Sequence, residues 1–368
     1  MKKQIFILSL ALLLLLSGCV GEDPGQSTPP TADQLPPVNL IQTSPGWNLI
    51  DGQRYHVKAD GTPTTGWLID GGQRYYLNER GTPLTGWQDI DGKRFCFRED
   101  GSMITGWLEE EGKAYFFGMD GSMITGHLNI GGQVFYFAED GARHSGWLEL
   151  ENGTYWFDDQ GVMAVGPVEI DGQLHYFSPH GIKILLVNPW NKVPEGYTVE
   201  LVNVTDRDRL ETRTAQALQD MLADCEAAGF RTFIVSAYRT HEEQQYLFNR
   251  KVNYYLDLDY SRKTAEETAA LSVAVPDTSE HQLGLAVDII DINNPNLDDS
   301  QEKAPAQQWL MQHCHEYGFI LRYPSGTTEI TGIIYEPWHY RYVGVEIAQE
   351  ITNLGITLEE YLGAVKSE

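Results

Sequence analysis

The sequence predicts a multidomain chain, with an N-terminal all-β solenoid of hairpin repeats over 46–183 and a C-terminal α+β domain over 184–365. Two observations predict it. A glycine, usually followed by tryptophan, returns every 20 residues from Gly46 to Gly166, and a fixed period of that length marks stacked repeats. After Leu185 the beat stops, and helix-like and strand-like patterns alternate irregularly, which indicates α+β rather than a doubly wound sheet. The 368 residues, 42% of them hydrophobic, suffice for two or three domains with packed cores. The net charge of −26 argues against a nucleic-acid binder, which needs a basic face. It also argues against broad electrostatic adhesion to anionic membranes or wall polymers, so a partner must be read by shape, stacking or local charge.

Residues 1–18 have the form of an export signal. Lys2 and Lys3 precede an apolar run, Ile5 to Leu16, that is short for a membrane span. Leu16-Ser17-Gly18-Cys19 follows and resembles a bacterial lipobox, which implies cleavage before Cys19 and lipid attachment to its sulfur. Residues 19–45, rich in Pro, Ser, Thr and Gln, form a spacer. The expected location is extracytoplasmic, anchored to the outer face of a bacterial membrane and associated with the wall.

Between the Gly-Trp positions runs a second beat, including Asp51-Gly52, Gly71-Gly72, Asp91-Gly92, Glu111-Gly112 and Asp171-Gly172. Such dipeptides between strand-like runs signal hairpins, because a type I′ turn needs positive φ at both central residues. One unit departs, with Asn152-Gly153 as its expected turn. Aromatic clusters such as Tyr115-Phe116-Phe117 and Tyr155-Trp156-Phe157 follow each turn. A lone hairpin is marginal in water, so the units must share these rings.

In the C-terminal half, Ala217, Leu218, Met221, Leu222 and Cys225 recur at helical spacing, and Gly229 lies past the helix end. Residues 231–236 are a β-branched strand candidate. Thr240 with Glu243 has the form of a capping box opening a helix toward Asn249. A buried strand is expected over 283–290, a helix over 304–317 and a short terminal helix over 346–354. No pair of the four cysteines has CxxC spacing, and Cys225 and Cys314 are expected to be buried free thiols.

The segment Ser279 to Asp288 offers a histidine and a carboxylate, and Glu336-Pro337-Trp338-His339-Tyr340-Arg341 offers another histidine and a glutamate. Two imidazoles and a carboxylate suit a catalytic zinc with an open position. A spare glutamate suits the general base that metal-assisted hydrolysis requires.

These segments, with Ser236-Ala237-Tyr238-Arg239-Thr240 and Gln244, resemble the VanY-type D-alanyl-D-alanine carboxypeptidases, which trim the terminal D-alanine from peptidoglycan stem peptides. The resemblance implies His281, Asp288 and His339 as Zn2+ ligands, Glu336 as base, and Arg239 as the cation that steadies the substrate carbonyl. Gln244, Ser279 and Tyr238 become candidates for holding substrate. The Thr-Gly-Trp and Asp-Gly-Lys pattern of the repeats is similar to the cell-wall-binding repeats of Gram-positive surface proteins, choline-binding proteins among them. This chain departs from the choline-binding pattern. Arg54, Arg74, Arg94, Ala114, Val134 and Leu174 occupy the position two after the turn glycine, and His127 and Pro167 replace the repeat tryptophan. A wall polysaccharide or teichoic acid is therefore an alternative ligand to choline, with Trp67, Trp87 and Trp107 as candidate contacts. Two other readings stand beside the leading one. The enzyme could be an LD-carboxypeptidase acting on the tetrapeptide, or the chain could be a non-catalytic wall-binding surface protein.

Overall fold

The computed structural model describes residues 44–364, so the apolar run, Cys19 and most of the 19–45 spacer lie outside the described residues. Among the described residues no helix is long and apolar enough to cross a membrane. The chain forms two compact units. One comprises the chain up to Gly106 together with Phe117–Met123, and the other comprises Trp107–Phe116 and the chain from Ile124.

The first unit begins with three antiparallel hairpins, Gly46–Ile50 with Gln53–Val57, Gly66–Asp70 with Gln73–Leu77, and Gly86–Ile90 with Lys93–Phe97. Asp51 and Gly52 both take positive φ, 51° and 79°, as the type I′ turn requires. Alternate residues of each second strand point inward, so Tyr55 and Val57, Tyr75 and Leu77, Phe95 and Phe97 are buried. Backbone bonds tie successive repeats, with Met103 N–H donating to the Arg74 carbonyl at 2.7 Å and Met123 N–H to that of Arg94 at 2.8 Å.

The second unit repeats the device in Gly126–Ile130 with Gln133–Phe137, Gly146–Leu150 with Gly153–Phe157, and Gly166–Ile170 with Gln173–Phe177. The expected turn at Asn152-Gly153 is corrected. Leu150 pairs with Gly153, so Glu151 and Asn152 form the turn and the 20-residue spacing is kept. The last hairpin gains a third strand, Lys183–Ile184. Its Tyr176, Ile184 and Leu186 share a core with Ile347, Ile351 and Leu358 from the end of the chain.

The candidate ligand tryptophans are packed and partly exposed at once. Trp67 is 37% and Trp107 42% exposed, and Trp87 is half-buried. Trp67 meets Tyr76 and Phe95 edge-on, and Trp107 meets Phe116 and Phe135 in the same way. The Arg74, Arg94 and Arg143 guanidinium carbons lie 5.0, 5.1 and 5.8 Å from the ring centroids of Trp67, Trp87 and Trp107. The chain's own cations thus lie over the rings at cation–π distance.

The rest of the second unit is an α+β domain. A four-stranded antiparallel sheet runs in the order Thr232–Ser236, Ala286–Asp291, His339–Tyr342, Phe319–Leu321. α1 (Thr212–Ala227) buries Ala215, Leu218, Met221 and Cys225 in a core shared with Val287, Ile289 and Tyr340 of the sheet. α2 (His241–Leu256) opens with the Thr240–Glu243 capping box, and α3 (Arg262–Ala270) packs Ala265 and Ala269 against its Val252. α4 (Pro305–His313) gives way to a 3-10 turn, Cys314–Tyr317, so the helix expected over 304–317 is two elements. α5 (Thr328–Thr331), α6 (Val345–Leu354) and α7 (Leu358–Tyr361) complete the chain. Cys225 and Cys314 are free and buried, and burial pushes their thiols up to about 11 and about 12. At neutral pH they are unreactive hydrophobes.

Candidate metal centre

The sheet register builds the site. Asp288 lies opposite Ser236 on one side and His339 on the other. Its neighbours Val287 and Ile289 point into the core, so period-2 alternation sends Asp288 to the opposite face. His281 comes from the turn Glu280–Leu283, which stops at Gly284 with φ 72°. That left-handed stop is why the strand expected from Leu283 begins at Ala286. Glu336 and His339 are bracketed by a turn in which the His339 N–H donates to the Glu336 carbonyl at 3.1 Å. Pro337 at its second position suits such a turn, and the two side chains end side by side.

One ligand-type atom from each of His281, Asp288 and His339 falls within 4.8 Å of the other two. His281 Nε2 is 3.2 Å from Asp288 Oδ2, and His339 Nδ1 is 3.1 Å from Asp288 Oδ1. Ligands ~2.0–2.1 Å from a tetrahedral zinc stand roughly 3.3 Å apart, so the spacing fits. The hydrogen bonding fits too. His281 Nδ1 lies 2.7 Å from the Ala237 carbonyl, an acceptor, so Nδ1 carries the proton. Burial, then the Arg239 charge, lowers the His281 pKa to about 4, leaving a bare Nε2 lone pair aimed at a carboxylate. Asp288 Oδ1 and His339 Nε2 are buried without hydrogen-bond partners. A cation between the bare His281 Nε2 and the Asp288 carboxylate would satisfy the lone pairs that face each other there, while His339 Nε2 faces Glu280.

Around this centre lies a second layer of charge. Burial opposes ionisation of Asp288, yet the imidazoles and Arg239 hold its carboxyl well below the usual range. Burial also opposes the charged form of His339, but Asp288 and Glu280 raise it to about 9. Glu280, 1% exposed, accepts from Arg322 Nε and Arg341 Nη1 at 2.8 Å each. Its other oxygen stands 3.6 Å from His339 Nε2. Arg322 continues as a bidentate pair to Glu359 of α7, and Glu359 accepts from Asn188. Burial raises Glu336 to about 8, and its carboxyl lies 3.7 Å from His339 Nδ1.

A cavity of about 840 Å³ opens on these residues, with Arg239, Ser279, Glu336 and Trp338 in its lining. Arg239 donates to Ser236, Gln244 and the Asp288 carboxylate, the last at 2.7 Å. Two residues expected to hold substrate stand elsewhere. Gln244 is fully buried, accepting from Arg239 and donating to the Ala274 carbonyl, so it braces Arg239. Tyr238 lines a second cleft, which Arg239 also borders, and its ring lies 5.7 Å from the Arg209 guanidinium carbon. Sequence reasoning missed Glu280, Arg322 and Glu359. Glu280 adjoins His281 in the recognised motif, but only the fold brings Arg322 and Glu359 to it.

Residues 207–345 match the VanY family, D-alanyl-D-alanine carboxypeptidase. Residues 84–127 match a choline-binding repeat, and 65–82 and 145–163 a cell wall binding repeat. A D-alanyl-D-alanine carboxypeptidase of Enterococcus faecalis is 43% identical over 183 residues, 50% of this chain and 66% of that protein. The bifunctional D-Ala-D-Ala dipeptidase and carboxypeptidase VanXYC of Enterococcus gallinarum is 43% identical over 137 residues, 35% of this chain and 64% of that protein. The chain thus spans just under two thirds of the length of these relatives. The crystal structure of a VanY D,D-pentapeptidase from a VanB-type vancomycin resistance cassette, in complex with Zn(II), is 43% identical. It covers 48% of this chain and 97% of its own, with a TM-score of 0.45. The C-terminal half of this chain is thus similar to the VanY-type D-alanyl-D-alanine carboxypeptidases and follows repeats similar to the choline-binding, cell-wall-binding kind.

Proposed function

We propose that this chain is a zinc-dependent peptidoglycan carboxypeptidase that removes the terminal D-alanine from stem peptides. In this reading its repeats hold a wall polymer and a lipid on Cys19 holds the membrane. One observation carries the catalytic part, the convergence of His281, Asp288 and His339 beside Glu336 in a cavity of peptide size. His281 Nε2, His339 Nδ1 and an Asp288 oxygen would hold the ion. Zinc in such a site supplies Lewis acidity, acidifying water toward ~7 and polarising a carbonyl.

The chain's own residues do the rest. Glu336 accepts a proton from the attacking water at its carboxylate and returns it to the nitrogen of the departing D-alanine. Arg239, braced by Ser236 and Gln244, has N–H groups left to donate to the carbonyl oxygen as it becomes anionic. Buried Trp338 and Ile333 line the cavity and limit water, which strengthens each charge interaction there.

The test is mass spectrometry of stem pentapeptide and tetrapeptide after incubation with the zinc-loaded protein. Loss of one D-alanine from the pentapeptide supports DD activity, and loss from the tetrapeptide supports LD activity. A protein that takes up no zinc and cuts neither, yet binds walls, is a surface adhesin instead. Cys19→Ser is expected to move the protein from the membrane fraction to the medium. Retention on membranes would rule the lipid anchor out.

A further inference from the structure

We propose that Lys251 receives the substrate's terminal carboxylate and thereby makes the enzyme an exopeptidase. The inference deepens the carboxypeptidase reading and rests on it. Leu247, Arg250, Lys251 and Tyr254 of α2 all line the cavity. Their spacing, i, i+3, i+4 and i+7, is one face of a helix, so α2 is a continuous wall carrying two cations. Asp298 and Asp299 also line the cavity and repel a carboxylate from their part of it. The substrate's charged end is therefore steered to the α2 wall.

Arg239 does not serve this end. Its bond to Asp288 keeps it with the metal ligands, where the reacting carbonyl belongs, rather than at the chain end one residue beyond. Lys251 forms no salt bridge among the described residues. Its ammonium lies 5.8 and 5.6 Å from the ring centroids of Tyr254 and Tyr255, which leaves its three N–H donors for a ligand. It lines the same cavity as His281, Asp288 and Glu336, so it shares the space that the substrate's end would enter. Arg250 is exposed and adds to the same field from the rim. On a chain of net charge −26, a carboxylate-ended peptide meets overall repulsion, and a local cation offsets it.

The experiment uses the zinc-loaded full chain, a stem pentapeptide with a free C-terminus and the same peptide as its C-terminal amide. The wild type is expected to prefer the acid by at least tenfold in kcat/KM. Lys251→Met should bring that ratio close to one, chiefly through a raised KM for the acid, and Lys251→Arg should restore most of the preference. A wild type that cuts acid and amide alike, or a Lys251→Met variant that keeps the full preference, overturns the assignment. A wild type that cuts neither peptide overturns the carboxypeptidase reading beneath it.

Discussion

Glu336 is an acid held back by its surroundings. Burial raises its carboxyl from 4.5 to about 8, so without a metal the native state keeps a proton that the unfolded chain has released. By linkage, this group's contribution to stability falls as pH rises from the unfolded value toward about 8. Urea titrations of chelated protein should show stability declining between pH 5 and 8, by a few kcal/mol more in wild type than in Glu336→Gln. The raised pKa of His339 acts in the same direction, and the variant separates the two. Parallel slopes would exclude a buried protonated Glu336. With zinc present, Glu336→Gln is expected to lose at least ~10²-fold in turnover while atomic absorption finds the metal retained. Glu280 acts through His339 instead of on substrate. Glu280→Gln should weaken zinc by roughly 10–100-fold in chelator competition, and unchanged affinity would make the network purely structural. The residues that converge at the candidate centre, His281, Asp288, Glu336 and His339, were legible in the sequence because they fall in contiguous motifs. Lys251 was not, because its role depends on which face of α2 meets the cavity.

Elements with strong local signals were read correctly, and those set by tertiary packing were not. The capping box of α2 and the apolar spacing of α1 stand out in a single chain because each satisfies its own helix. α3 escaped notice because it buries small alanines, which leave a weak hydrophobic period. The type I′ turns were legible from Asp-Gly and Gly-Gly, and the unit that lacks such a pair was misplaced by one residue at Asn152. Gly284 is the local decision that shapes the site, since its φ of 72° ends the turn carrying His281 and starts the strand carrying Asp288. A Cβ there would lie 3.1 Å from the Glu211 backbone nitrogen. Gly284→Ala should cost ~1–2 kcal/mol for the left-handed backbone alone. It should also lower zinc affinity, and a variant that melts and binds zinc like wild type would show that the turn tolerates a side chain.

At the scale of the whole molecule, the repeats and the peptidase domain use charge in different ways. Arginines lie over the repeat tryptophans, whereas Lys251 in the cavity forms no salt bridge among the described residues. Retention on purified walls should therefore depend on the partly exposed rings. Replacing Trp67 and Trp107 together by Ala is expected to reduce co-sedimentation severalfold, and unchanged retention would leave the repeats as a spacer. The final hairpin belongs to both halves of the sequence pattern, because Tyr176, Ile184 and Leu186 lie in one core with Ile347, Ile351 and Leu358. His180 adds a 2.7 Å contact to Glu350 of α6. A chimera that swaps in a foreign repeat array has to be spliced upstream of Gly166. A cut at residue 184, where the sequence period ends, would strip α6 of its cover and yield an insoluble enzyme instead of a retargeted one.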